Sequence, residues 1–204
     1  MPSQKSTVEK VAVAPKRERG RLRVAAILDA GAAVFSEKGY DAATMTEVAA
    51  RARTAIGSLY RFFPSKDVLA DALLMRFAER LDTGLGEILA RATRLGPGDL
   101  AAALVELWLE LASDRAVAVV LVDAQTDSAD RRAQLRDSAR RRLAAILVAA
   151  DRSLPKAKAE AMARVVLHLL KAVPGFAQED ASGRKDSVAE LRAVLALYLA
   201  RRTT

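Results

Sequence analysis

Residues 44–66 read TMTEVAARARTAIGSLYRFFPSK, and this segment carries the clearest structural pattern in the chain. Thr44 and Glu47 have the T-x-x-E spacing of a capping box, in which two side chains satisfy free backbone amides at a helix N-terminus. Small apolar residues follow at helical spacing, and Pro64 ends a second apolar run. The pattern therefore predicts two short helices joined by a tight turn, the arrangement of a helix-turn-helix motif.

The second short helix is predicted to begin at Thr54 or Ala55. Leu59 and Phe63 lie four residues apart, so both are expected to point into the domain. Tyr60 falls between them and is expected to remain outside, where it is free to contact a partner.

Positive charge is concentrated around this stretch. The 204 residues carry a net charge of +8, and residues 1–66 hold 12 Lys and Arg against 6 Asp and Glu. Such an excess beside a helix-turn-helix is typical of a protein that binds a polyanion. A solvated basic tail explains part of the excess, so charge alone does not decide between these two explanations.

Helical periodicity continues along the rest of the chain, which predicts an all-α fold of about nine helices. Residues 1–20 are basic and lack sustained periodicity, as in a disordered arm. Residues 21–66 are predicted to be the helix-turn-helix domain, with Gly39 just past the end of a first helix. Residues 67–204 are predicted to be a larger helical domain. The β-branched run at 116–122 is expected to be helical, because nothing nearby offers a partner strand.

Several function classes find no support in the sequence. The chain has no cysteine, which removes thiol nucleophiles and thiolate metal sites. No catalytic motif is present, so the protein is expected not to be an enzyme and to need no cofactor or metal. The longest apolar run is too short to span a bilayer, and the apolar run before Pro15 is too short for a signal peptide. We therefore expect a soluble, cytoplasmic protein without a membrane partner.

A set of residues within and before the quoted stretch has a recognisable order and spacing. Its members are Ile27-Leu28-Asp29-Ala30, Phe35, Gly39-Tyr40, Thr44, Val48-Ala49 and the run GSLYRFFPSK at 57–66. Together they resemble the DNA-binding domain of the TetR family of bacterial one-component regulators. Arg53 stands where that family usually has Gly, so Arg53 is expected to adopt a left-handed conformation. Ala55 replaces the usual capping Ser, which makes Thr54 the alternative cap.

The resemblance implies a transcriptional regulator, most simply a repressor that binds a pseudo-palindromic operator in double-stranded DNA as a homodimer. In the family a small molecule enters the larger domain and releases the operator. Phosphate contacts are expected from Tyr60 and Lys66, whose hydroxyl and ammonium groups are phosphate donors, and Thr44 lies at another phosphate position of the family. The remaining DNA-binding residues are expected to be Thr46, Ala55, Ile56, Gly57, Ser58 and Arg61.

The larger domain is expected to bind an effector whose identity the sequence does not give. Candidate lining residues, which suit an apolar or cationic-apolar ligand, are Met75, Phe77, Trp108, Asp123, Met162, His168 and Phe176. The same residues also fit an ordinary core, and His168 is more typical of a core or pocket histidine than of a metal ligand. A DNA-binding factor without a small-molecule ligand remains the alternative function.

The homodimer is expected to form through the last two long helices, predicted at 155–173 and 186–202 with a loop at 178–185. Their apolar stripes consist of Met162, Val166, Leu170, Val188, Leu191, Leu195, Tyr198 and Leu199. Two such helices from each subunit make a four-helix bundle, as is typical of the family that the sequence resembles. The alternative is that both stripes simply cover the core of the monomer.

Overall fold

The computed structural model describes residues 18–124, 128–176 and 179–201, with all of their side chains except those of 128–132 and 135. Every regular element in these ranges is a helix, so the predicted all-α class is confirmed. The predicted basic arm falls largely on residues 1–17, outside the described residues; residues 18–20 belong to the first helix.

Ten α-helices follow one another in the described ranges. They are α1 (Glu18–Ala42), α2 (Met45–Arg51), α3 (Ile56–Phe62), α4 (Lys66–Arg91), α5 (Pro97–Glu110), α6 (Ala112–Asp123), α7 (Ser128–Ala150), α8 (Lys156–Leu170), α9 (Val173–Phe176) and α10 (Ala181–Ala200). A 3-10 turn at Ala92–Arg94 follows α4. The run at 116–122 lies inside α6, which confirms its helical assignment. Among the described helices, none combines the length and apolar character that crossing a bilayer requires.

The chain forms two compact units. The first comprises the chain as far as Arg76 together with Val117–Gln125, and the second comprises Phe77–Ala116 and the chain from Thr126 onwards. The predicted domain boundary, between residues 66 and 67, lies at the start of α4. In the structure, by contrast, the first turns of α4, as far as Arg76, belong to the same unit as the helix-turn-helix.

The core of the first unit is built around α1. Ile27 and Phe35 of α1 and Leu59 of α3 have no exposed surface. Gly31 lets α4 approach α1, because a Cβ atom at this position would lie only 3.2 Å from Cδ2 of Leu69. Burial of one such side chain contributes about 1.5–3 kcal/mol. A handful of residues thus holds the three helices together.

In the second unit α4 and α5 approach closely at Gly84. A Cβ atom there would lie 2.3 Å from Cδ1 of Leu107, so any larger residue at this position would force Leu107 to move. Arg142 of α7 donates two hydrogen bonds to the carboxylate of Asp82, at 2.6 and 2.7 Å, which ties α7 to the same part of α4. Helix α10 packs mainly on α5, and α7 packs mainly on α8.

The C-terminal helix begins earlier than predicted. A loop was expected at 178–185, whereas α10 starts at Ala181. Asp180 is its N-cap and accepts a hydrogen bond from the backbone N of Gly183 at 2.7 Å, so a Ser-Gly pair that suggests a turn lies in the first helical turn. The helix predicted at 155–173 ends earlier, at Leu170, and Val173 belongs to the short helix α9.

Candidate nucleic-acid interface

The predicted capping box is present at the N-terminus of α2. Oγ1 of Thr44 accepts a hydrogen bond from the backbone N of Glu47 at 3.3 Å, and the Glu47 carboxylate accepts one from the backbone N of Thr44 at 3.1 Å. Lys38 also donates to this carboxylate. The Lys38 hydrogen bond, followed by those from Thr44, holds the pKa of Glu47 below its ordinary value. The first turn of α2 is therefore fixed by groups on both of its sides.

The turn between α2 and α3 contains the predicted left-handed residue. Arg53 has a φ of +50°, which is uncommon for a residue with a side chain. The turn is closed by a hydrogen bond from the backbone N of Thr54 to the carbonyl O of Ala49 at 3.0 Å. Ala55 is the N-cap of α3 and no side chain bonds to that end, so Thr54 does not act as its cap.

Helix α3 has a buried face and an exposed face. Leu59 and Phe62 are buried, as is Phe63 just past its end, in agreement with the predicted inward direction of Leu59 and Phe63. On the other side, Ile56 and Tyr60 keep 41 % and 46 % of their surface exposed. The outward side chains are therefore available to a duplex.

The predicted DNA-binding residues other than Lys66 lie on α2, on the turn or on α3. The exposed ones are Thr44, Thr46, Ala55, Ile56, Gly57, Tyr60 and Arg61, and Ser58 is half-buried. Their contacts with DNA stay a prediction. Thr44 is the N-cap of α2 in the capping box, and this structural role is sufficient to explain a threonine at this position.

Sequence reasoning missed Arg23 of α1. Its guanidinium Nη1 lies 3.5 Å from Oγ of Ser58, which places a cation beside α3. These two residues are 35 positions apart, so local spacing cannot pair them. The available signal was the recurrence of Arg19 and Arg23 four residues apart, which marks a basic stripe on one side of α1.

The ammonium group of Lys66 forms hydrogen bonds within the first unit. Its Nζ donates to the carbonyl oxygens of Tyr40, Asp41 and Ala43 at 2.8, 3.1 and 3.2 Å. It also lies 4.5 Å from the centroid of the Tyr40 ring. An ammonium group has three protons and here it has three acceptors, which argues against the predicted contact with a DNA phosphate.

Tyr40 joins the end of α1 to the start of α4. Its ring stacks on Phe35 with centroids 5.7 Å apart, and its hydroxyl donates to the carboxylate of Asp67. Burial, followed by the bond to Asp67, raises the pKa of the Tyr40 phenol above its ordinary value of 10.0. The phenol therefore stays neutral and keeps its proton for this bond.

The predicted effector-binding residues differ widely in exposure. In the second unit, the buried members are Phe77, Trp108 and Met162, and the half-buried one is Phe176. Met75 of the first unit is 62 % exposed, and Asp123 is exposed as well. The expectation of a core position for His168 is wrong, because its side chain is exposed on α8, with Nδ1 2.7 Å from the carbonyl O of Arg164.

A groove of about 650 Å³ lies between α7 and α8 in the second unit. It is lined by Arg140, Arg141, Ala144, Ala145, Val148, Ala149, Arg152, Leu154, Lys156 and Glu160. None of the predicted effector-binding residues belongs to this lining. Within the described ranges, no group of three or more His, Asp or Glu side chains is placed to hold a metal ion.

The stripe predicted for the dimer interface lies inside its own chain. Its buried members are Met162, Val166, Leu170, Val188, Leu191, Leu195 and Leu199, and Tyr198 is half-buried. Side chains with so little accessible surface in the single chain can bury little more against a partner, which argues against a large contribution of this stripe to an interface. The exposed apolar side chains of α8 and α10 are instead Val165, Val194 and Leu197, at 41 %, 48 % and 72 %.

Known proteins resemble the chain in sequence over the helix-turn-helix region and in structure over most of its length. Residues 27–73 match the profile of the bacterial regulatory proteins of the tetR family. The HTH-type transcriptional repressor KstR of Mycolicibacterium smegmatis is 47 % identical over 76 residues, which are 35 % of this chain and 37 % of KstR. The chain thus matches little more than a third of the length of this curated relative.

Two solved structures show how far the fold extends. A transcriptional regulator from Aquifex aeolicus superposes with a TM-score of 0.70 at 19 % identity, over 86 % of this chain and 98 % of that one. The regulator FadR of Bacillus subtilis, in complex with stearoyl-CoA, gives a TM-score of 0.60 at 20 % identity, over 86 % and 97 %. At these identities the likeness establishes a shared fold.

The chain has the helical fold of these solved structures, with a helix-turn-helix near its N-terminus. The family match spans most of α1, all of α2 and α3 and the start of α4, which are the elements that carry the resemblance in the sequence. The similarity to the TetR family of bacterial regulatory proteins thus covers the helix-turn-helix region, and the likeness of the rest of the chain to solved structures establishes a shared fold.

Proposed function

We propose that the chain is a transcriptional repressor that binds a pseudo-palindromic DNA operator as a homodimer and is released by a small-molecule effector. The main support is α3, which presents one exposed face beside a capped α2 and an ordered turn. The segment that contains these helices also matches a repressor at 47 % identity. Its relatives are regulators, and no catalytic motif competes with a binding role.

The exposed side chains of α3 suggest distinct roles on DNA. The hydroxyl of Tyr60 is a phosphate donor and would set the register on the duplex. The guanidinium of Arg61 can donate two hydrogen bonds to a guanine, and Ile56 can contact the methyl group of a thymine. Arg23 adds a cation beside this helix and would strengthen the salt-dependent part of binding.

A homodimer is proposed because one helix-turn-helix reads only a half-site. Dimers place two recognition helices about one turn of DNA apart, or a multiple of it. The interface that we propose uses the exposed apolar side chains of α8 and α10, which are Val165, Val194 and Leu197. A two-fold interface pairs the same patch of both subunits, so every residue on it counts twice.

An effector of apolar character is proposed for the larger part of the chain. FadR, which shares the fold, is in complex with stearoyl-CoA. In this chain Phe77, Trp108 and Met162 provide buried aromatic and sulfur-containing surface in the second unit. The alternative, a DNA-binding factor without an effector, draws support from the exposure of Met75 and His168. A thermal-shift screen separates the two, since only an effector that prefers the folded chain raises its melting temperature.

Footprinting on the DNA that flanks the gene of this protein tests the proposed function directly. We expect a protected pseudo-palindrome, bound about 1,000-fold or more tightly than unrelated duplexes at physiological salt. Arg61→Ala is the informative variant, because it should relax base preference at one position of each half-site. Equal affinity for the protected site and for unrelated duplexes under competition would contradict the proposal.

A further inference from the structure

The position of Lys66 is unusual for a lysine. It is the first residue of α4, where the helix dipole has its positive end and disfavours a cation. Asp67 in the same turn is the type of residue that this position favours. A lysine at a helix N-terminus therefore needs a compensating interaction elsewhere, and the structure supplies one.

The compensation comes from the end of α1. Backbone carbonyl oxygens carry partial negative charge and need a hydrogen-bond partner where the helix does not supply one. Nζ of Lys66 donates hydrogen bonds to the carbonyl oxygens of Tyr40 and Asp41. It donates a third to the carbonyl oxygen of Ala43, directly before the cap of α2. Gly39, at a φ of +76°, takes the chain off its helical path immediately before these carbonyls.

A second contact reinforces the first. Lys66 lies over the face of the Tyr40 ring, while Asp67 accepts the hydrogen bond from the Tyr40 hydroxyl. Two consecutive residues of α4 thus hold one aromatic side chain of α1, which itself stacks on Phe35. We call the group of Tyr40, Lys66 and Asp67 the α1–α4 clasp.

We propose that Lys66 is a positioning residue for DNA recognition, which acts by closing the α1–α4 clasp and not by contacting a phosphate. Helices α2 and α3 lie entirely between the two halves of the clasp in sequence. Loss of the ammonium would leave both ends of this segment less restrained, and α3 would present its exposed face less accurately. The inference rests on the proposed DNA-binding function.

Two substitutions at Lys66 separate positioning from phosphate contact. Lys66→Met keeps the apolar stem and removes the ammonium, whereas Lys66→Arg keeps the charge and is an excellent phosphate donor. A planar guanidinium cannot direct three protons from one nitrogen at three clustered carbonyls. Positioning therefore predicts that both variants lose operator affinity by about tenfold, equivalent to about 1.4 kcal/mol. Phosphate contact predicts that the arginine variant binds like the wild type.

The salt dependence provides an independent readout. Removing one phosphate contact lowers the slope of log affinity against log salt by about one. We expect Lys66→Met, measured at a temperature where circular dichroism shows it folded, to keep the wild-type slope. A purely structural role would leave the operator affinity of the folded protein unchanged. A reduced slope, wild-type affinity of the folded methionine variant, or rescue by arginine would each overturn the inference.

Hydrogen exchange tests the inference without DNA, and therefore independently of the proposed function. Hydrogen exchange should become faster across α2 and α3 in Lys66→Met, and unchanged exchange there would also overturn the inference. If the methionine variant does not fold, Tyr40→Phe replaces it, since this change removes only the hydrogen bond to Asp67 and should produce a smaller effect in the same helices. If the wild type binds no operator, the proposed function fails, whereas the exchange experiment still decides whether the clasp holds α2 and α3.

Discussion

Leu197, on the outer face of α10, gives the sharpest test of the proposed dimer. Its side chain is 72 % exposed in the single chain. Complete burial of a leucine contributes about 1.5–3 kcal/mol, so burial of the remaining surface is worth about 1–2 kcal/mol per subunit and about 2–4 kcal/mol per symmetric dimer. Leu197→Asp removes this contribution and places two unpaired carboxylates in the interface. We expect the dimer dissociation constant to rise by at least about 100-fold.

Sedimentation velocity over a range of concentrations measures this effect, and circular dichroism reports whether the monomer is folded. Val119→Asp on α6 is the matched control, since Val119 is an apolar residue that is 48 % exposed outside the proposed face. It should leave the dimer intact. Leu195→Asp should instead unfold the chain, because Leu195 has no exposed surface and its carboxylate would be buried without a partner. A Leu197→Asp protein that dimerises like the wild type would refute the placement of the interface.

Three further results are expected. Gly84→Ala should lower the free energy of unfolding in urea by about 1–2 kcal/mol, since overpacking against Leu107 outweighs the gain in helix propensity of about 1 kcal/mol. Gly86→Ala, with open space around the added methyl group, should raise the free energy of unfolding by about 0.5–1 kcal/mol. If Gly84→Ala is instead the more stable of the two variants, Leu107 moves to accommodate the methyl group. The pKa of Glu47 is lowered on folding, so the stability difference between the wild type and Glu47→Gln should be constant above the ordinary pKa of 4.5 and should shrink in thermal melts as the pH falls below it. Tyr60→Phe should weaken binding to all operator variants in gel shifts without changing base preference, whereas a changed preference would reassign Tyr60 to base contact.

Much of the helix-turn-helix followed from local rules. The capping box needs only the spacing of Thr44 and Glu47, and the inward direction of Leu59 and Phe63 needs only the helical period. The left-handed turn at Arg53 followed from the family resemblance and from the steric rule that makes glycine usual there. Each of these predictions concerns residues within a few positions of one another, and the structure confirms them.

The errors concern contacts between distant residues. Periodicity correctly places Leu191 and Leu195 on one side of α10, but it does not reveal what covers that side. In the structure α5 covers it, so the stripe belongs to the core. The hydrogen bonds of Lys66 were missed for the same reason, because its carbonyl partners lie more than twenty residues earlier in the chain. The early start of α10 depends on one cap, Asp180, beside residues that individually suggest a turn.

The division of α3 into two faces has an evolutionary consequence. Leu59 and Phe62 anchor the helix in the core, while Ile56 and Tyr60 project from it. Replacements at such exposed positions usually change stability by no more than about 0.5 kcal/mol. After gene duplication, a copy of this chain can therefore drift towards a new operator through its outward residues while its fold persists. DNA recognition can thus change while the fold is kept, because the two depend on different residues of one short helix.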